Sequence, residues 1–317
     1  MAKRILLFGA TGTIGGAVLR ALQRRGHEVV AFVRSDPSKD LGAEVRCGSL
    51  ADPEMLAHTA FQGSSFDVVI SCMASRSGVP DDAWDVDYRA HMHILKAAQM
   101  AGVGHFIQLS SICVQRPLLA FQQAKLAFEK ALTASGMRSS IIRPTAYFKS
   151  LSGQVARVVA DKPFLLFGDG NLTACKPISD DDLADYIADC IGDVTKHNRI
   201  LPIGGPGDAM TPRQQGEMLF GLLGKPPRFR KVPLALFDVI GAGLRLAALI
   251  SKTAATKAEL ARIGRYYATE SMLWLDPETG AYDAKATPST GSDTLAEHYT
   301  RLIAGEITTE RGEHSVF

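Results

Sequence analysis

Three glycines in the pattern G-x-x-G-x-x-G, Gly9, Gly12 and Gly15, stand between an apolar run, "RILLF", and an amphipathic one, "TIGGAVLRALQRR". A helix entered through a glycine turn directly after a buried strand opens a strand–helix–strand unit, and that unit implies a right-handed crossover and a parallel sheet. The first half of the chain keeps the rhythm. "EVVAFVR", "AEVRCG", "DVVISCMA", "HFIQLSS" and "SSIIRP" read as strands, while 53–61, 82–101 and 119–135 carry apolar residues at helical spacing. After residue 150 the pattern changes to turns, short strands and the helical stretches 211–224, 234–250 and 254–268. The expected fold is α/β: a Rossmann-like, doubly wound parallel sheet over 1–150 and a smaller, mostly helical lobe over 151–317, with 176–204 returning to the sheet.

In an open parallel sheet, ligands sit beyond the carboxyl ends of the strands, and the first strand–helix turn supplies a phosphate site. Gly9 permits the tight exit from the strand, Gly12 lets the backbone approach a pyrophosphate, and Gly15 allows close helix packing. The loop residues Thr11, Gly12, Thr13 and Ile14 then bring the amides of the first helical turn to negative charge. A lone glycine pattern is weak, but a strand before it, a helix after it and a second strand ending about 20 residues on are the context a dinucleotide site requires. Arg34, in "AFVRSDPS", stands where a site for the unphosphorylated ribose would place an acid, and its fork suits a 2′-phosphate. NADPH is therefore expected over NADH, with Asp36 two residues on as the contrary sign. Asp52 reads as a helix cap that also lies close enough in the pattern to touch adenine. Cys72, Met73 and Ala74, in "SCMAS", are expected to line the ribose and nicotinamide, with Cys72 as a small buried residue and no nucleophile.

Charge excludes several partners. The chain carries 35 Lys and Arg against 33 Asp and Glu, so no excess points to nucleic acid. Five scattered cysteines without a C-x-x-C pair give neither a disulfide framework nor a metal site, and a reducing cytoplasm is the expected setting. The start "MAKRILLFG" runs straight into the first strand and reads as having no targeting segment. The stretch 232–250 is nearly long enough to span a bilayer, but Asp238 and Arg245 interrupt it. With Lys225, Arg228, Arg230 and Lys231 upstream, 225–250 is a candidate for peripheral contact with a membrane surface.

The glycine loop and strand rhythm resemble the extended or atypical branches of the short-chain dehydrogenase/reductase superfamily. In that superfamily a Tyr-x-x-x-Lys pair serves a carbonyl substrate: the tyrosine gives the proton and the lysine holds the nicotinamide ribose. Here the pair reads Phe121-x-x-x-Lys125, so the lysine remains and the proton donor is gone. A narrower resemblance fits that loss. "QQAKLAFEK", "IIRPTAYFKSLSGQ" (141–154), "KPISDDDLADYIADCI" (176–191), "LPIGGPG" (201–207) and above all "YYATESMLWLDPETGAYDAKATPSTGSDTL" (266–295) look like the divinyl chlorophyllide 8-vinyl reductases of chlorophyll and bacteriochlorophyll synthesis.

That resemblance implies NADPH-dependent reduction of the 8-vinyl group of divinyl chlorophyllide or protochlorophyllide to ethyl, and the bare amino terminus implies a bacterial member. Lys125 is then the cofactor-positioning residue. Tyr147, Lys125, Ser111 and ordered water are the candidate proton sources, and Tyr147 equally suits stacking on the macrocycle or filling the core. Arg228, Arg230, Lys231, Arg262 and Arg265 are candidates for the substrate carboxylate. His91 and His93 lie two apart on one helix and do not share a face, so no joint metal site is expected. Three other readings stay open: an NADP-binding redox sensor, favoured by Phe121; an isoflavone-reductase-like enzyme for another aromatic acceptor; and a membrane-linked assembly scaffold.

Overall fold

The computed structural model describes residues 1–37, 39–248 and 251–308, without the side chains of 245, 246 and 252. The last residues of the expected apolar helix, 249–250, and of the lobe, 309–317, lie outside the described residues. In chain order the longer strands are β1 (Arg4–Phe8), β2 (Glu28–Val33), β3 (Glu44–Cys47), β4 (Val68–Ser71), β5 (His105–Leu109), β6 (Arg138–Pro144), β7 (Phe164–Phe167), β8 (Arg199–Ile203) and β9 (Phe229–Val232). The main sheet has the order β3-β2-β1-β4-β5-β6-β8. β1 pairs in parallel with both β2 and β4, in registers that set Leu6 opposite Val30 and Val69. The chain therefore winds outward from β1 to β3 and then reverses to β4 on the other side. That reversal is the topological switch point, and it lies between the carboxyl ends of β1 and β4.

Contacts divide the chain into two units: Met1–Ser75, Pro80–Pro144 and Asp180–Pro202 form the first, and Arg76–Val79, Thr145–Ser179 and Ile203–Phe317 the second. Strands covered on both faces read as near-continuous apolar runs, which is why "ILLF" and "VVAFV" show no alternation. Leu6, Phe8, Val30, Phe32, Val69 and Phe106 pack there against Ile94 and Phe128 from the covering helices. The stretch 82–101, read as one helix, is three joined segments: Pro80–Ala83, a wider π-helical run Trp84–Ala90, and His91–Met100. Such widened turns recur at functional sites because they re-aim the side chains they carry.

The second unit is mostly helical, with Pro212–Leu222, Ala235–Ala248, Lys252–Thr269 and Leu295–Ile303 as its longer helices. Phe148, Phe164, Leu166, Leu219, Phe220 and Tyr299 make its core. β7 and β9 pair in parallel beside it. The apolar stretch after β9 forms the helix Ala235–Ala248, with Leu236, Val239 and Ile240 exposed. No helix among the described residues is long and apolar enough to cross a membrane.

Candidate functional site

The glycine loop leaves β1 through Gly9, whose φ of 84° only glycine adopts without strain. A Cβ there would also come within 2.9 Å of the Cys72 carbonyl carbon, so Gly9 keeps the exits of β1 and β4 in contact. Gly15 permits a second close approach: its Cβ would lie 2.0 Å from the Gly9 oxygen. Gly12 is different. It is the N-cap of the helix Thr13–Arg24, in an extended conformation open to any residue, and its Cβ would meet only the Gly9 oxygen, at 3.4 Å. Nothing among the described residues calls for a glycine at that position, whereas a pyrophosphate approaching the helix start would. The cap carries no side chain, and Thr11, Gly12 and Thr13 are exposed while Ile14 and Gly15 are buried. These features fit a dinucleotide phosphate.

The neighbouring positions have distinct environments. Arg34 follows the end of β2 and is exposed, with no hydrogen-bond or ion-pair partner among the described residues. Asp52 caps the helix Pro53–Leu56, accepting from the Met55 amide at 2.8 Å through Oδ1. After β4, Cys72 and Met73 are half-buried and Ala74 is exposed. Desolvation pushes the Cys72 thiol up to about 12, which disfavours the thiolate a nucleophile would need.

The helix Ala120–Ala134 turns Lys125 inward; its partner was not foreseen. Lys125 Nζ donates to Asp87 Oδ1 at 2.9 Å, with 9% of the lysine side chain and 1% of the aspartate exposed. Phe121, one turn earlier, is half-buried. One turn later the buried Glu129 pairs with Arg143 and accepts from the Ser110 hydroxyl. Beside Asp87 lies His91, fully buried and held down to about 4 by desolvation and by the Lys125 charge. Its Nδ1 is 2.7 Å from the Val86 carbonyl, which can only accept, so Nδ1 carries the proton. Nε2 then accepts from the Ser71 hydroxyl at 2.9 Å. Ser111 is half-buried, its hydroxyl 3.1 Å from Cys113 Sγ.

His93 points elsewhere, its Nδ1 2.7 Å from the Leu50 carbonyl, and no cluster of metal-ligating side chains occurs among the described residues. Asp87 had a legible signal. Ala83, Asp87, Ala90 and Ile94 form one buried stripe at helical spacing, and an acid on such a stripe requires a partner.

In the second unit Tyr147 is half-buried and bridges Ile178 through the backbone at the start of the helix Phe148–Leu151. The expected carboxylate-binding cations are mostly paired: Arg228 with Asp161, Arg262 with Glu259 and Arg265 with Asp238. Arg230 and Lys231 on β9 are exposed. Arg262 and Arg265 line a cavity of about 220 Å³ with Phe237, Asp238, Gly241 and Ala261. That is below the usual size of a ligand pocket and too small for a tetrapyrrole.

Comparisons with known proteins bear on the family and the fold. The sequence model of a family described as NAD(P)H-binding matches residues 9–194. Divinyl chlorophyllide a 8-vinyl-reductase, chloroplastic, from Zea mays is 48% identical over 99% of this chain and 82% of its own length. Among solved structures, an NADPH-dependent quinone oxidoreductase of Escherichia coli in complex with NADPH superposes with a TM-score of 0.68, at 22% identity, over 94% of this chain and 99% of its own. The binary complex of leucoanthocyanidin reductase and NADPH from Vitis vinifera gives 0.69, at 14% identity, over 95% and 99%. At those identities the two structures share the fold.

Proposed function

The chain belongs to the divinyl chlorophyllide a 8-vinyl-reductases, within the NAD(P)H-binding family, and from that premise we propose that it reduces the 8-vinyl group of divinyl chlorophyllide or protochlorophyllide to ethyl with NADPH. The observation that carries this reading is an open glycine cradle and an inward lysine, with Phe121 where a phenol would serve a ketone. A vinyl group conjugated to a macrocycle needs no such acid, because charge spreads into the ring before a proton arrives.

NADPH, when bound, supplies a hydride equivalent from its nicotinamide. The chain supplies the rest. The amides around Gly12, Thr13 and Ile14 hold the pyrophosphate, Arg34 forks onto the 2′-phosphate, and Asp52 remains near the adenine end as a cap. Cys72, Met73 and Ala74 line the ribose and nicotinamide with small or apolar groups. Lys125 donates hydrogen bonds to ribose hydroxyls and so fixes the reacting face. Tyr147 is the candidate proton source at the second vinyl carbon, with Ser111 and water as alternatives. One hydride and one proton convert the vinyl to an ethyl group.

Exposed Leu236, Val239 and Ile240 after exposed Arg230 and Lys231 support peripheral contact with an anionic membrane, from which an apolar chlorophyllide would be drawn. Sedimentation with anionic and with neutral vesicles tests it, and equal recovery in the supernatant of both would end it. The reductase reading itself is tested by anaerobic incubation of purified protein with divinyl chlorophyllide and NADPH, without ferredoxin or flavin. Monovinyl product is expected. Bound NADPH without product would favour the sensor reading.

A further inference from the structure

A lysine is a point charge on a four-carbon stem, and it holds a ligand in one pose only if something holds the lysine. In this helix the side chain one turn earlier, Phe121, offers no hydrogen bond. The structure supplies a different constraint from a different segment. Asp87, on the π-helical run Trp84–Ala90, places Oδ1 2.9 Å from Lys125 Nζ and 3.3 Å from the Ser75 amide, just past the β4 exit. That one oxygen ties together the loop expected to line the nicotinamide, the widened helix and the lysine. The second oxygen, Oδ2, is sealed from solvent and has no hydrogen-bond partner among the described residues. Oδ1 is taken up by Lys125 and the Ser75 amide and Oδ2 is sealed, so Asp87 bears on a ligand at one remove, through the lysine and through the loop after β4. The ammonium has three donors, and Asp87 is its one hydrogen-bond partner among the described residues. Two donors remain for vicinal hydroxyls.

We propose that Asp87 is the positioning residue of the nicotinamide site, fixing the Lys125 ammonium so that its remaining donors meet the ribose hydroxyls. This rests on the reading of Lys125 as the ribose-holding group. Asp87 takes over the local constraint that Phe121 cannot provide.

The test is a double-mutant cycle on NADPH affinity, read by cofactor fluorescence with wild type, Asp87→Asn, Lys125→Met and the double variant. Asp87→Asn keeps an acceptor for the Ser75 amide and removes the charge that holds the lysine. Asp87→Asn is expected to weaken NADPH about tenfold, by the strength of a charge-assisted hydrogen bond, and to weaken it no further once Lys125 is gone. A purely structural role would weaken binding by the same factor in both backgrounds, and that result overturns the proposal, as does unaltered affinity in Asp87→Asn. Removing both charges avoids leaving one buried alone, so the double variant is expected to fold. Should Asp87→Asn alone not fold, Asp87→Glu, which keeps the charge and displaces it, carries the same comparison in the wild-type and Lys125→Met backgrounds. Cofactor binding does not depend on the electron acceptor. A chain that binds NADPH with this pattern but yields no monovinyl product would end the vinyl-reductase reading and leave Asp87's role standing, whereas wild-type affinity in Lys125→Met would end the ribose role and this inference with it.

Discussion

Two sets of ion pairs in the first unit use the same chemistry in opposite settings. Between the helices Thr13–Arg24 and Asp180–Asp189, Arg20 meets Asp181 at 2.9 Å, Arg24 and Arg25 meet Asp185 at 3.3 and 3.1 Å, and Arg25 meets Asp189 at 2.7 Å, all from substantially exposed side chains. Inside, Lys125 with Asp87 and Arg143 with Glu129 are almost sealed. Water screens the first set and competes for it, so each pair contributes little. The second set has surrendered its hydration, and removing one partner strands a charge. A surface ladder fastens two helices, whereas the buried pairs cost desolvation that apolar side chains would avoid. They hold side chains in place.

The sharpest break of that contrast is Glu129→Ala. It leaves Arg143 and the Ser110 hydroxyl without their acceptor, and chemical denaturation is expected to register a loss of about 3–5 kcal/mol. Acid provides the next. Burial holds His91 down at about 4 from an ordinary 6.5, so below pH 6.5 the unfolded chain binds a proton that the folded chain refuses. Stability therefore falls as pH drops from 6.5 to about 4 and levels off below, a loss of about 3 kcal/mol from this group. Denaturation midpoints across that window check it: a His91→Gln variant should lose this part of the acid slope, and an unchanged slope would sink the assignment.

Arg34 belongs to neither set, being exposed and unpaired among the described residues. Arg34→Ala is expected to leave the melting temperature unchanged and to weaken NADPH roughly tenfold while sparing NADH, the loss of a charge-assisted contact. Equal loss for both nucleotides would deny it the phosphate. The smallest effect belongs to the ladder. Asp185→Asn should cost under about 1 kcal/mol, fading further in high salt.

The sheet was legible because buried parallel strands leave continuous apolar runs and the glycine loop marks where the first helix begins. The tight exit at Gly9 and the close packing at Gly15 are legible in the glycine spacing, whereas the approach of the β4 exit to Gly9 is not. Asp52 as a cap was legible from its position before Pro53. The lysine was legible and its setting was not. Sequence spacing puts Lys125 one turn from Phe121, but Asp87 lies 38 residues away, and only the fold brings them together. The surface fate of Ala235–Ala248 was similarly open, since an apolar helix has the same composition whether its outer face is covered or bare. Proton delivery depends on side chains around a ligand, which local pattern does not encode.

The proposed function requires direct transfer from nicotinamide to the vinyl group by a site that lacks a carbonyl acid. Turnover of divinyl chlorophyllide with NADPH deuterated at the transferring C4 position, followed by mass spectrometry of the product, tests it most directly. One deuterium in the 8-ethyl group is the predicted result. Monovinyl product carrying no deuterium would mean that another carrier stands between cofactor and substrate, and would contradict the claim.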